Sequence, residues 1–222
     1  MALVKVCGLT RLADVALCLR LGVTYLGAIV DIPRSPRCLT WEQACLLLRA
    51  ARGQGVAVVA SDDVSRVAAL ASEAGPAAVQ LHGGQSAELV ERLGSSLPAS
   101  TEIWSVLSLP VEPQEAREEL PALIEAAQRL VAAGAGRLVL DSKVRGASGG
   151  TGVPMNREHA AEIVAACGVP VMLAGGINPA TASEALRVTG AAGVDVSSGV
   201  ERAPGIKSPR AIEQLVRAVA GA

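Results

Sequence analysis

The sequence predicts a (β/α)8 barrel of the TIM type, an α/β fold forming a single domain over residues 1–222. Short β-branched runs alternate with longer Ala/Leu/Arg/Glu stretches from end to end. The short runs are almost continuously apolar, as strands buried on both faces of a parallel sheet must be. Eight of each fit the length, and eight strand–helix repeats are the signature of such a barrel, with an open doubly wound sheet as the structural rival. No interior linker or charge run marks a domain boundary.

Taken in order, the strand segments are Val4–Cys7, Tyr25–Val30, Val56–Ala60, Ala78–Leu81, Ile103–Leu107, Arg137–Asp141, Val169–Ala174 and Val194–Ser197. Helical patterns lie near Leu12–Leu21, Thr40–Arg52, Val64–Glu73, Ala87–Leu93, Glu115–Ala133, Arg157–Cys167, Pro179–Val188 and Pro209–Val219. Thr40 ahead of Trp41-Glu42-Gln43, and Asn178 ahead of Pro179, are helix-start signals. Gly22, Gly53 and Gly134 follow helix ends, where a left-handed residue is commonly needed.

Composition narrows the function. Half the residues are apolar and 18% are charged, which excludes disorder. Phe is absent, and two Trp and one Tyr leave a core of Val, Leu, Ile and Ala. A net charge of −1 with no basic cluster offers no nucleic-acid surface, and so few aromatics make no platform for stacked bases. The cysteines (Cys7, Cys18, Cys38, Cys45, Cys167) form no CxxC pair, which argues against a disulfide framework or zinc site and for a reducing, cytoplasmic setting. No signal-peptide pattern opens the chain, and no apolar stretch approaches the ~20 residues that span a bilayer. The partner to expect is a small molecule, met by a monomer or homodimer.

The chemistry gathers at strand tips. Cys7 ends the first strand just before Gly8-Leu9-Thr10, so a rigid element holds a thiol at the ligand-facing end; alone it reads as a small buried hydrophobe before it reads as a catalyst. Asp141 closes the sixth strand, where an acid facing the cleft competes with an acid bracing the long loop that follows. That loop, Lys143 to Gly152 with Gly146, Gly149, Gly150 and Gly152, has the composition of a mobile cover. Gly175-Gly176 after the seventh strand and Ser197-Ser198-Gly199 after the eighth are the loops that hold phosphate in such barrels; plain tight turns are the alternative. His82 tips the fourth strand as a substrate hydrogen-bonding group or a loop brace, while His159, on a helix, reads as surface. Arg37 after the second strand can grip a carboxylate with its fork, and Arg34 nearby fits plain solvation better. Lys5, inside the first strand, needs an anionic partner if it faces inward.

Together these segments resemble the phosphoribosylanthranilate isomerase family. The resemblance runs through Lys5-Val6-Cys7-Gly8-Leu9-Thr10, Ser35-Pro36-Arg37, Gln80-Leu81-His82-Gly83, Leu140-Asp141-Ser142, Gly149-Gly150-Thr151-Gly152, Leu173-Ala174-Gly175-Gly176, Val194 to Glu201 and Pro204-Gly205-Ile206-Lys207, nearly the whole chain. It implies a cofactor-free Amadori rearrangement of N-(5-phosphoribosyl)anthranilate, with Asp141 as general acid on the ring oxygen and Cys7 as general base at the sugar C2. It also implies Arg37 on the anthranilate carboxylate, with His82, Lys5, Gly149 and Gly150 as further substrate contacts. The ribose phosphate would lie on Gly175, Gly176, Ser197, Ser198 and Gly199. Such an acid needs a raised pKa and such a base an electropositive setting, which Lys5 is expected to help supply.

Three segments depart from the family. Its aromatic-rich second and third strands are here Gly27-Ala28-Ile29-Val30-Asp31 and Val56-Ala57-Val58-Val59-Ala60, and its Phe-Asp-Trp after the glycine-rich loop is Val153-Pro154-Met155-Asn156. Asp31 is expected to add an acid beside the aromatic-binding end. The alternatives are the same acid–base isomerisation of another phosphorylated aminosugar, and a non-catalytic barrel that binds phosphorylated metabolites.

Overall fold

The computed structural model describes residues 2–83, 86–143 and 155–222, and in them the repeats close into a barrel. Its strands are β1 (Leu3–Val6), β2 (Tyr25–Val30), β3 (Gly55–Val59), β4 (Ala78–Leu81), β5 (Glu102–Pro110), β6 (Arg137–Lys143), β7 (Val171–Leu173) and β8 (Gly193–Val196). The helices are α1 (Leu12–Arg20), α2 (Trp41–Ala50), α3 (Val64–Ala74), α4 (Ala87–Gly94), α5 (Pro113–Ala132), α6 (Arg157–Cys167), α7 (Ala182–Thr189) and α8 (Pro209–Ala220). Each strand pairs in parallel with its sequence neighbours, and β1 pairs with both β2 and β8, which closes the ring and removes the doubly wound alternative.

Local chemistry sets the element ends. Thr40 caps α2 in a capping box with Gln43, and Gly22, Gly53 and Gly134 have positive φ of 75, 81 and 108° after their helices, as expected. The Asn178-Pro179 signal, in contrast, does not start α7. Asn178 Oδ1 accepts from the Ala180 N–H at 2.9 Å, making a local turn, and α7 begins at Ala182 with Thr181 at its cap. Two small features complete the fold: a two-residue strand, Cys38–Leu39, beside β2, and a hairpin of Glu201–Ala203 with Ile206–Lys207 between β8 and α8.

The period of two sorts the strands into two cores. Val4 and Val6 face the helix layer, whereas Leu3, Lys5 and Cys7 point into the barrel. The interior is filled by Val56, Val58, Ala78, Trp104, Val106, Val139, Met172 and Ala174. Toward the N-terminal ends of the strands, Tyr25 and Trp104 meet edge to face at 4.7 Å between centroids. The Arg137 guanidinium lies over both rings, at 5.4 and 4.9 Å. Two of the three aromatic side chains thus plug the barrel opposite the loops that carry the chemistry.

Gly27 is the position where the interior leaves no room. A Cβ there would lie 2.9 Å from Cys7 Sγ, 3.0 Å from Cys7 Cα and 3.2 Å from Lys5 Cε. The strand beside β1 must be bare at this level so that a lysine and a cysteine fit side by side. Gly27→Ala should therefore destabilise the protein by about 1–3 kcal/mol in a denaturant titration, as overpacking does.

Candidate active site

Cys7, Asp141 and the loops after β7 and β8 converge on one cavity of about 220 Å³ at the C-terminal ends of the strands. Its floor and walls are Ile29, Val58, Val106, Val139 and Ala174, with Ile32 from the loop after β2. Arg34, Ser35, Pro36 and Arg37 border one side; Gly175, Gly176, Ile177, Ser197, Ser198 and Gly199 border another. Gln80 and His82 reach it from β4 and its tip, and Asp195 from β8. Predicted residues Cys7, Asp141, Arg37, His82, Gly175, Gly176, Ser197, Ser198 and Gly199 are thus brought together. Gly149 and Gly150 lie outside the described residues.

Lys5 does not line the cavity. It is wholly buried beneath it, and its Nζ sits 2.6 Å from Asp195 Oδ2. The two are register partners on adjacent strands, so the inward-facing lysine has the anion it needed. Asp195 is the main residue that sequence reasoning missed. The available signal was a lone acid inside the apolar β8, facing a lone lysine inside β1.

The pair sets the charge around both candidate catalytic groups. Burial raises the Asp141 carboxyl to about 6 from 3.8, and the nearby Asp195 charge adds to the rise. Cys7 is also raised, chiefly by burial; Lys5 and Lys207 pull it down but do not overcome that burial. The expected help from Lys5 therefore has the right sign and falls short in size. Burial works against the Lys5 charge too, yet Asp195 and the Cys7 thiol hold its pKa above the ordinary value. Burial lowers His82, favouring neutral imidazole.

Gly175 lets the β7 loop touch the acid. It has φ 69°, and a Cβ there would collide with Ser142 Oγ and stand 2.7 Å from Asp141 Oδ1. Three cavity-lining residues hold a buried polar atom with no protein partner among the described residues: Gln80 Oε1, Asp195 Oδ1 and Ser197 Oγ. Unpaired polar atoms at a cavity wall are groups a ligand can satisfy.

Three expectations change. The Arg37 fork is engaged within the protein: Nε donates to Glu201 Oε1 at 2.8 Å and Nη2 to Glu201 Oε2 at 2.6 Å. Asp31 adds no acid to the cavity; with φ 56° it turns outward and pairs with Arg66 at 2.7 Å. His159 is half-buried on α6 rather than surface, and it does not line the cavity. Among the described residues, no group of three His, Cys, Asp or Glu is placed to hold a metal ion. No helix among them is long and apolar enough to cross a membrane.

Residues 4–218 match the family model for N-(5'phosphoribosyl)anthranilate (PRA) isomerase. The chain is 32% identical over 220 residues to the N-(5'-phosphoribosyl)anthranilate isomerase of Aquifex aeolicus, covering 98% of each. It is 31% identical over 210 residues to the longer tryptophan biosynthesis protein TrpCF of Haemophilus influenzae, covering 91% of this chain and 39% of that one. The solved N-(5'-phosphoribosyl)anthranilate isomerase of Pyrococcus furiosus superposes with a TM-score of 0.83 and full coverage of both chains; at 22% identity this likeness shows the fold alone.

Two outcomes test the electrostatics. Lys5→Met should cost about 3–5 kcal/mol of stability by stranding a buried carboxylate, and adding Asp195→Leu should recover most of the loss in the same unfolding assay. The alkylation rate of Cys7, taken as wild type minus Cys7→Ser across pH, should show a midpoint above that of an ordinary cysteine.

Proposed function

This chain belongs to the N-(5'-phosphoribosyl)anthranilate isomerase family, and from that premise we propose that Asp141 and Cys7 are the acid and base of its reaction. It is an isomerase of tryptophan biosynthesis acting on a small phosphorylated substrate. The observation that carries the residue assignment is that a carboxyl titrating at about 6 and a thiol reach one cavity from separate strand tips.

In this reading Asp141 gives its proton to the furanose ring oxygen, and the C1–O bond breaks to leave an open-chain iminium. Cys7, as thiolate, takes the proton from C2, and the enolamine forms. Returning a proton to C1 and losing the one on the C2 hydroxyl yields the ketone, 1-(2-carboxyphenylamino)-1-deoxyribulose 5-phosphate, and restores both groups. The reaction needs protonated Asp141 and ionised Cys7 together. With Asp141 near 6 and Cys7 raised, this is a minor protonation state of the free site, populated at a constant fraction between the two titrations.

The remaining contacts follow from position. Gly175, Gly176, Ser197, Ser198 and Gly199 lie where the phosphate would sit, and the unpartnered Ser197 hydroxyl is available to it. The substrate ring would rest on Ile29, Ile32 and Val58, an aliphatic surface in place of the family's aromatic strands. Arg37 borders that region and would meet the ring carboxylate with the donors that Glu201 leaves open. All of these residues belong to one barrel, so a monomer is enough to assemble them. Five free cysteines, four of them buried, suit a reducing cytoplasm.

Freshly made phosphoribosylanthranilate should lose its anthranilate-type fluorescence on mixing with the purified protein; no loss would refute the substrate. Asp141→Asn should lower kcat by roughly 100-fold or more, the scale of a missing general acid. The same variant should be more stable than wild type at pH 8. The unfolded carboxyl ionises near 3.8 and the folded one near 6, so wild type loses stability as pH rises between these values. The gap in its favour should therefore open from about pH 4 to 7 and level off at no more than about 3 kcal/mol, read from thermal melts.

A further inference from the structure

Lys207 is a buried cation to which the reaction gives no part. Its Nζ donates to the Cys7 carbonyl at 2.6 Å, to the Ser197 carbonyl at 3.2 Å and to Glu201 Oε1 at 2.8 Å. Three acceptors around one nitrogen use three N–H bonds, which only the ammonium has. The first acceptor belongs to the proposed base, and the second to a residue of the proposed phosphate loop. Cys7 is thereby held on both sides of its peptide unit, since its own N–H donates to the Val196 carbonyl at 2.9 Å.

Glu201 keeps this cation in place and is itself enclosed. Its two oxygens take two of the Arg37 donors, the Lys207 ammonium and the Gly205 N–H at 3.2 Å. The hairpin that carries Glu201 and Lys207 is fastened to the loop after β1 by Thr10, whose hydroxyl donates to the Gly205 carbonyl at 2.6 Å. A further tie runs from the Lys207 N–H to Asp14 Oδ2 at 3.2 Å. Arg37, Glu201 and Lys207 together carry one surplus positive charge. The charges that act on the thiol are those of Lys5 on its own strand, Asp195 on β8, Arg37 from the loop after β2, and Lys207 from the hairpin. Lys5 is neutralised by Asp195, so the unbalanced charge near the sulfur is that of the triad.

We propose that Lys207, clamped by Glu201, is the positioning residue of the base: it fixes the Cys7 main chain and places a surplus positive charge beside the thiol. This rests on the reading of Cys7 as the base. Lys207→Met, close in length but without charge, should lower kcat by roughly 10- to 100-fold while KM changes much less. The Cys7 alkylation midpoint, again measured against a Cys7→Ser background, should rise by about one pH unit. Glu201→Gln removes the negative charge but keeps an amide oxygen to accept from Lys207, whose bonds to the Cys7 and Ser197 carbonyls also remain, so it should move that midpoint the opposite way. A merely structural role predicts no such pair of opposite shifts. Unshifted midpoints and unchanged kcat in folded Lys207→Met would overturn the proposal. If Lys207→Met does not fold, a Glu201→Gln midpoint that stays put or rises would overturn it alone. Wild-type turnover of phosphoribosylanthranilate is followed in parallel. Turnover without the shifts refutes this inference, whereas the shifts without turnover support it and refute the substrate.

Discussion

The ion pair between Lys5 and Asp195 is the constraint around which the rest of the barrel is arranged. A wholly buried lysine and a nearly buried aspartate are tolerable only as partners, and they become partners only when the first and last strands lie side by side. The pair thus ties the closure of the ring to the satisfaction of its two most costly side chains. It also dictates neighbours: β2 must present a glycine at the level of Lys5 and Cys7, because a Cβ there would collide with Cys7 and crowd Lys5. The same two charges then act on the groups above them, lowering the Cys7 titration through Lys5 and raising that of Asp141 through Asp195.

Much of this is legible in the chain because the signals are local. A strand of a parallel barrel is a short apolar run and its helix a longer amphipathic one, so all eight repeats can be located without knowing what touches what. Cys7, Asp141 and the glycine loops are legible for the same reason: each ends a strand, and strand ends share one face of such a fold. What stays hidden depends on register between distant segments. Asp195 matters because it stands opposite Lys5, 190 positions earlier, and an acid inside the apolar β8 does not by itself name that partner. Arg37 reads as a substrate-facing fork until Glu201, 164 residues later, folds back onto it. Asp31 reads as part of the pocket because it follows β2, but a positive φ turns it toward Arg66. The start of α7 is hidden for a different reason: the Asn178 side chain satisfies the backbone locally and delays the helix that its sequence announces.

The cavity is therefore divided by charge. On the Asp141 side, burial and a neighbouring carboxylate favour the protonated form; on the Cys7 side, lysines and an arginine oppose a burial that favours the neutral thiol. Asp141 is drawn by its burial toward the protonated state it lacks in neutral water, whereas Cys7 stays the thiol it would be there, and the uncompensated carboxylate lowers stability at neutral pH. A site that separates an acid from a base in this way is expected to be less stable than its own inactive variants.

The placement of the aromatic residues has an optical consequence. Trp104 and Tyr25 are packed under Arg137 toward the far end of the barrel, and Trp41 lies outside on α2 against Glu73 and Arg66. With no Phe in the chain, the cavity is lined by aliphatic and polar side chains and contains no indole or phenol. An aminobenzoate bound there is the sole benzenoid chromophore at the catalytic mouth. No indole or phenol of the cavity wall can stack on it, and the buried Trp104 beneath it can serve as an internal donor for energy transfer, so the protein carries its own occupancy meter.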